Sequence, residues 1–175
     1  IRKIILDVFE ENTKVIEDFK AGKNVNVTLT YDDEHNPIVL VKKDLQKFIK
    51  TVRNKFGKGI RYFACGEYGG RTKRPHFHLI LFNLDLEDVR HLCSGPHGGN
   101  YLQSKALAEC WPNGHITIGE VSYSSACYTA EYCLKKSNQE SFILMSNRPG
   151  IGGYYAMNKL DLIYDTDNLE LPGKK

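Results

Sequence analysis

The feature that most constrains the fold is a pair of strand patterns joined by a short basic turn. The patterns cover Ile60–Tyr68 and His76–Asn83, and the turn between them is Gly69–Pro75. A connection this short joins antiparallel neighbours, because parallel strands need a crossover of a dozen or more residues. We therefore expect a hairpin within an antiparallel sheet, and not a doubly wound parallel sheet.

Further strands and helices alternate around this hairpin. The sequence predicts strands at Val25–Tyr31, His115–Glu120 and Phe142–Met145, and helices at Ile1–Lys20, Lys43–Phe56, Leu84–Cys93, Leu102–Cys110 and Ser122–Lys136. The expected fold class is α+β, with a central antiparallel sheet of about five strands flanked by helices. We expect one domain over residues 1–175: an N-terminal helical segment (1–24), a core (25–152) and a C-terminal extension (153–175).

Composition excludes several classes of protein. The 175 residues are 41 % hydrophobic and 26 % charged, which is a globular balance and argues against disorder. No run of apolar residues is long enough to cross a membrane. A net charge of +3 neither requires nor excludes a nucleic-acid partner. The five cysteines form no CxxC pair, which indicates free thiols in a reducing compartment.

Two histidines in the hairpin form the first candidate site. His76 and His78 alternate on one predicted strand, so both imidazoles face the same side and Phe77 faces the core. Pairing across the turn would bring the Glu67 carboxylate beside them. Two imidazoles and one carboxylate make a partial metal shell with open positions, which is typical of a catalytic metal site. The alternative is a pair of surface histidines on a strand.

Two tyrosines on a predicted helix form the second candidate site. Tyr128 and Tyr132 are four residues apart, so their rings lie side by side, and Lys135 and Lys136 fall on the same helical face. The apolar residues of this helix fall on the opposite side, so core packing explains the tyrosines poorly. Tyrosine can act as a covalent nucleophile, and nearby cations favour its phenolate form. The alternative is two exposed tyrosines on a solvated basic face.

Together these segments resemble the HUH endonucleases that initiate rolling-circle replication, in particular those of small single-stranded DNA phages of the gokushovirus-like Microviridae. The resemblance is carried, in the family's order, by VNVTLTYDDEHNP, RYFACGEYGGRTKRPHFHLILFN, YTAEYCLKK and FILMSNRPGIG. These segments cover most of residues 25–152. Two departures are that Glu131 stands where a lysine would follow Tyr128 by three positions, and that Asn147 precedes Arg148 where the family has a basic pair.

The resemblance implies an RRM-like palm and a site-specific nickase of single-stranded DNA. Glu67, His76 and His78 would hold Mg²⁺ or Mn²⁺, of which cellular abundance favours Mg²⁺. Tyr128 and Tyr132 would be nucleophiles assisted by Lys135, giving a 5′-phosphotyrosine and a free 3′-OH. The expected contacts to DNA phosphates come from basic side chains, namely Arg71, Lys73, Arg74, Lys136 and Arg148.

The resemblance also implies partners and a location. The partners are single-stranded DNA at the replication origin, a host helicase and a host DNA polymerase, with no membrane, in the cytoplasm of a bacterial host. Candidate base-stacking residues, for each of which core packing is the alternative, are Tyr62, Phe63, Tyr68 and Tyr101.

Three other interpretations stay open at this point. One is a single-tyrosine transposase of the same superfamily, which would need only one of the two tyrosines. Another is a non-catalytic RRM-like nucleic-acid-binding module, in which the aromatic residues matter and the histidines do not. The last is a separate zinc site, whose irregular spacing matches no zinc pattern, formed by His91, Cys93, His97, Cys110 and His115.

Overall fold

The computed structural model describes residues 24–70, 72–94, 100–121, 129, 141–148 and 150–151. The chain divides into two compact units, residues 1–145 and residues 146–175. In the described part of the second unit, Asn147 and Gly150 form an antiparallel bridge. All the helices and strands below belong to the first unit, and none of these described helices has the length and apolar character needed to cross a membrane.

The architecture is α+β, as predicted, and is built on one antiparallel sheet. The elements in chain order are β1 (Val25–Tyr31), α1 (Lys42–Phe56), β2 (Arg61–Tyr68), β3 (Pro75–Phe82), β4 (Arg90–Ser94), β5 (Asn100–Gln103), α2 (Lys105–Ala108), β6 (Gly114–Glu120) and β7 (Phe142–Met145). Seven strands lie in the order β4-β5-β6-β1-β3-β2-β7, where about five were expected. The predicted β2–β3 hairpin is confirmed, and β3 lies between β1 and β2.

One face of the sheet packs on α1 and forms the hydrophobic core. Along β1 every second residue is buried, which is the period expected of a strand with one face in the core. Helix α1 contributes Leu45, Phe48, Ile49 and Val52 to the same cluster. Trp111 sits at its centre, in ring contact with Tyr31, Phe48 and Phe77. The opposite face of β1, β2 and β3 is thereby left for polar side chains.

The helix predicted at Leu84–Cys93 is wrong. Residues 84–89 have no regular helix, and strand β4 begins at Arg90 and pairs with β5. The reason lies in the acidic residues of this segment: Asp88 accepts hydrogen bonds from the Ser104 hydroxyl and the Ala106 amide. The carboxylate therefore caps α2 from a distance, and the segment is not free to continue a helix of its own.

The helix predicted at Leu102–Cys110 is right only in its second half. Residues up to Gln103 belong to strand β5, and the helix begins after Ser104, whose hydroxyl accepts a hydrogen bond from the Leu107 amide. An N-cap serine of this kind marks where a helix starts. The periodicity of the apolar residues ran through this boundary, because Leu102 and Leu107 both pack toward the core.

Candidate active site

Three predicted site residues lie on two neighbouring strands. His76 and His78 are both on β3, and Glu67 on β2 pairs directly with His76. Phe77, between the histidines, is fully buried in the core on the other side of the sheet. The register therefore places two imidazoles and one carboxylate on one face, as the strand period predicts, while their role as metal ligands stays a prediction.

Two threonines of β1 hold the imidazoles from the other side. Thr30 pairs with His76 in register, and its Oγ1 lies 3.0 Å from His76 Nδ1. Thr28 pairs with His78, and its Oγ1 lies 3.3 Å from His78 Nδ1. When Nδ1 carries the proton and donates it to the hydroxyl, the Nε2 lone pair is free to bind a ligand. The sequence analysis missed these threonines, although their alternation in VTLT signalled a common face.

The Nε2 atoms of the two histidines have different surroundings. His78 Nε2 lies 3.0 Å from Glu67 Oε1, and the side chains are only 9 % and 15 % exposed. His76 Nε2 points at the backbone of Gly69, where an added Cβ would lie 2.8 Å away. Burial lowers the pKa of His76, and the neighbouring His78 lowers it further, while Glu67 opposes the shift. His76 is thus neutral at pH 7, which is the form that binds metals.

The donor set fits a divalent metal in its chemistry and in its placement on the sheet. Two imidazoles and a carboxylate suit Mn²⁺ and related ions, and polar hydroxyls orient the imidazoles from behind. Within the described part of the chain, however, no three His, Cys, Asp or Glu side chains converge on one point. The geometry accounts for this, because Glu67 contacts His78 while the Nε2 of His76 faces Gly69.

The basic turn between β2 and β3 is fixed to the end of β1. The Arg74 guanidinium donates to the Tyr31 carbonyl at 2.8 Å and pairs with the Asp33 carboxylate. It therefore braces the turn, a contact that the prediction of a DNA-binding side chain did not foresee. Lys73 is exposed and has a positive φ of 55°. Arg71 lies outside the described residues.

The predicted tyrosine helix is described at one residue only. Thr129, which follows Tyr128 in the sequence, is helical and fully buried, and its carbonyl accepts a hydrogen bond from the Cys65 thiol at 3.7 Å. Cys65 pairs with His78 and is two residues from Glu67, so it belongs to the same face. Thr129 is therefore in contact with the face that carries the histidines.

The remaining predicted site residues fall outside this geometry. The nucleophile candidates and the lysines beside them lie outside the described residues: Tyr128, Tyr132, Lys135 and Lys136. Arg148 is described and exposed, and it belongs to the second compact unit.

Only one of the four candidate stacking residues presents an exposed ring. Tyr62 lies against the Arg53 guanidinium, and Phe63 is 5 % exposed. Tyr68 accepts a hydrogen bond from the Leu40 amide through its hydroxyl. Tyr101 is 38 % exposed. Packing thus accounts for the first three, and only Tyr101 is open to a ligand.

The alternative zinc site is not assembled among the described residues. Cys110 is buried, and its thiol donates to the Ala106 carbonyl at 3.7 Å. Burial raises the pKa of the Cys110 thiol, which disfavours the thiolate that zinc requires. Cys93 is exposed on β4 at the far edge of the sheet, and His97 lies outside the described residues.

Comparison with known proteins assigns this arrangement to a family. The family model of the ORF2-type replication-associated proteins matches residues 24–137, which include the hairpin and both tyrosines. The chain belongs to this family. The resemblance to phage replication initiators noted from the motifs is thereby confirmed.

Three phage proteins are similar to the chain. Replication-associated protein ORF2 of Spiroplasma virus 4 is 37 % identical over 160 residues, covering 82 % of this chain and 50 % of that protein. Replication-associated protein VP4 of Bdellovibrio phage phiMH2K is 36 % identical over 65 % of this chain and 39 % of its own length. Replication-associated protein ORF4 of Chlamydia phage 1 is 30 % identical over 65 % of this chain and 31 % of its own length.

The chain thus spans half or less of the length of each of these relatives. No solved structure shows a significant match to it.

Proposed function

We propose that this chain is the nicking and strand-transfer domain of a phage replication initiator. It would cut single-stranded DNA at the replication origin, attach the 5′ end to a tyrosine and leave a 3′-OH for synthesis. The observation that carries the proposal is the face on which Glu67, His76 and His78 stand together, with the residue after Tyr128 packed against it.

Two properties of this face support phosphoryl-transfer chemistry. The imidazoles are held from behind by Thr28 and Thr30, so their orientation is set before a substrate binds. His76 is kept neutral by burial, so its Nε2 can act as a ligand or hydrogen-bond acceptor at pH 7. Solvated surface histidines would have neither property, and this favours the functional interpretation of the pair.

The proposed reaction exchanges one phosphodiester for another. The tyrosine oxygen forms a bond to phosphorus as the bond from phosphorus to the 3′ oxygen breaks. The phenolic proton leaves the nucleophile, and the departing 3′ oxygen takes up a proton to become the 3′-OH. Because the number of phosphoester bonds is conserved, the step is reversible and can reseal a strand.

Residues of the hairpin would hold the divalent metal, Mg²⁺ or Mn²⁺. Glu67, His76 and His78 are the proposed ligands, and a bound metal would act as a Lewis acid on the scissile phosphate. The sheet holds these three side chains on adjacent strands, and the role of Thr28 and Thr30 is to keep the imidazoles oriented.

The second tyrosine gives the proposal its rolling-circle character. After one round of synthesis, whichever of Tyr128 and Tyr132 is free could cut the regenerated origin, and the first adduct would be resealed into a circle. Lys135, three residues after Tyr132, is the proposed cation that stabilises the phenolate or the phosphate. Lys136, Lys73 and Arg71 are proposed contacts to DNA phosphates.

The reaction defines the partners. The free 3′-OH is the end that a DNA polymerase extends, and a helicase must separate the strands ahead of it. We propose that both are supplied by the bacterial host, in whose cytoplasm the protein would act.

The test is covalent capture of DNA. The protein is incubated with single-stranded DNA carrying the candidate phage origin, labelled downstream of the cut, with Mn²⁺ or with EDTA. Denaturing gels then compare the wild type with Tyr128→Phe, Tyr132→Phe and the double variant. The control is Tyr101→Phe, which removes a phenol far from the predicted helix. We expect a metal-dependent protein–DNA band that disappears only in the double variant.

The other outcomes separate the competing interpretations. Loss of the band in one single variant would leave a one-tyrosine enzyme, as a transposase of this superfamily requires. Tight DNA binding without an adduct, with or without metal, would refute the nickase and leave the non-catalytic binding module.

A further inference from the structure

The face that carries the histidines continues across four more strands, away from the tyrosine helix. Beyond β3, Thr28 of β1 pairs with Thr117 of β6. One row further, Asn26 of β1 pairs with Gly119 of β6, and Gly119 pairs with Tyr101 of β5. These residues are all partly or fully exposed, and all but Tyr101 are small. We call this surface the trough, with a floor of Asn26, Thr28, Thr117 and Gly119.

Gly119 keeps the floor of the trough open. A Cβ added there would meet only Asn26 Cβ, at 3.9 Å, which is an ordinary contact. The backbone at this position also lies outside the left-handed region, so a larger residue would fit without strain. Packing does not require a glycine here, and its effect is an unobstructed path between Tyr101 and the histidines.

Tyr101 stands at the far side of the trough. It lies three strands from β3, which corresponds to about 14 Å at the usual strand spacing. Its ring is 38 % exposed, whereas the neighbouring residue Leu102 packs against the core on the other face. An exposed aromatic ring on a sheet face offers a platform on which an unpaired base can stack.

A β-bulge brings a positive charge beside this platform. The register between β4 and β5 shifts at Leu92, so Arg90, paired with Gln103, and Cys93, paired with Tyr101, both face the trough. Without the extra residue, side chains three positions apart would point to opposite faces. Arg90 is exposed.

The described strand residues of this face from β4 to β1 include no carboxylate. They are Arg90, Cys93, Tyr101, Gln103, His115, Thr117, Gly119, Asn26, Thr28 and Thr30. An anionic ligand therefore meets no opposing charge between Arg90 and the histidines. The nearest acidic strand residue in sequence, Glu120, pairs with Val25 and so belongs to the core face.

We propose that the trough binds single-stranded DNA, with a base stacked on Tyr101 and a phosphate held by Arg90. This rests on the proposed function in one respect: the strand that crosses the trough leads to the scissile phosphate at the histidines. The occupant is single-stranded because a paired base in a duplex has no free face for Tyr101.

Binding is measured without cleavage, by fluorescence anisotropy of a labelled mixed-sequence oligonucleotide in EDTA. Tyr101→Ala should weaken binding of the single strand by about 5- to 150-fold, the usual effect of one lost stacking platform. Tyr101→Trp should retain binding, and its emission should be quenched by DNA, against a constant background from the buried Trp111. A duplex of the same sequence should bind the wild type and Tyr101→Ala equally.

Two further variants test the path and the charge. Gly119→Val places a branched side chain on the floor and should weaken binding at least as much as Tyr101→Ala. Its control is Gly59→Val, where an added Cβ meets nothing within 4 Å. Arg90→Ala should reduce the salt dependence by about one phosphate contact. Its control is Lys50→Ala, an exposed cation on α1, the helix packed on the other face of the sheet.

The proposal is overturned if Tyr101→Ala and Gly119→Val bind the single strand as the wild type does, or if the wild type does not bind it in EDTA. These failures are distinct from failure of the nickase. An adduct that forms normally with variants of unchanged DNA affinity would refute the trough alone. Weakened binding in the variants of a protein that never forms an adduct would refute the nickase and leave the trough standing.

Discussion

Replacement of Gly69 by alanine should separate metal binding from stability. A Cβ at this position would lie 2.8 Å from His76 Nε2 and 3.1 Å from its Cδ2. The clash is with the far end of a side chain, not with backbone. The backbone of Gly69 lies outside the left-handed region, so alanine can adopt its conformation, and its hydrogen bonds with Arg74 and Lys73 need not change.

The size of the effect follows from these distances. To restore an ordinary contact of about 3.5 Å, the His76 ring must retreat by about 0.7 Å. Metal ligands must be placed within about 0.2 Å, so this movement is more than three times the tolerance. We expect Mn²⁺ affinity to fall by about 10- to 100-fold, the loss typical of a disturbed ligand orientation.

Stability should change little in the same variant. Alanine reduces the freedom of the unfolded chain, which stabilises the fold by about 0.4–1 kcal/mol, and this offsets part of the strain in His76. The melting temperature is therefore expected to stay within a few degrees of the wild type.

Isothermal titration with Mn²⁺ and thermal denaturation measure the two quantities side by side. The matched control is Gly70→Ala, because an added Cβ at Gly70 meets nothing within 4 Å. Equal Mn²⁺ affinity in Gly69→Ala and the wild type would show that His76 Nε2 does not face the metal. An equal loss in both alanine variants would point to the mobility of the turn, and would also contradict the argument.

Three further changes test the elements that support the site. Thr30→Val should lower Mn²⁺ affinity more than Thr28→Val, because its hydroxyl lies closer to its imidazole (3.0 against 3.3 Å), and Thr30→Ser should restore it; equal values for all three in titration calorimetry would contradict this. Gly114→Ala should destabilise the protein by about 2–5 kcal/mol in urea denaturation, since φ is 153° and the Cβ would meet the backbone of Thr30; an unchanged midpoint would refute it. Burial, and then the Asp44 carboxylate, raise the pKa of Tyr31, so stability should be lost as pH rises above about 10, where the unfolded phenol ionises; Tyr31→Phe should show a flatter profile there.

The hairpin could be predicted from sequence because all of its information is local. Strands β2 and β3 are joined by a short turn, and the alternation of His76, Phe77 and His78 fixes which side chain faces the core. The position of Glu67 opposite His76 then follows from the turn. No distant part of the chain is needed to place these residues.

The threonines could not be placed in the same way. Thr30 is 46 residues from His76 and Thr28 is 50 residues from His78, and nothing in the sequence states which strand lies beside β3. The register of two strands this far apart depends on burying the alternate residues of β1 against α1. Once that packing is fixed, the remaining residues of β1 must face the histidines.

The errors at β4 and β5 have a related cause. Asp88 and Ser104 were assigned to separate helices, but their side chains form one hydrogen-bonded cap for α2. A carboxylate that caps a helix 18 residues away gives no periodic signal. The same edge carries Tyr101, whose exposure depends on the strands that the sequence did not predict.

The position of β1 explains why the site depends on distant packing. One face of this strand supplies Val27 and Leu29 to the core, and the other supplies the hydroxyls that hold the imidazoles. A slip of one residue in its register would exchange these faces, placing threonines in the core and aliphatic side chains against the histidines. The core therefore selects the register that builds the site. Substitutions that loosen β1 should impair metal binding even when they lie on the core face.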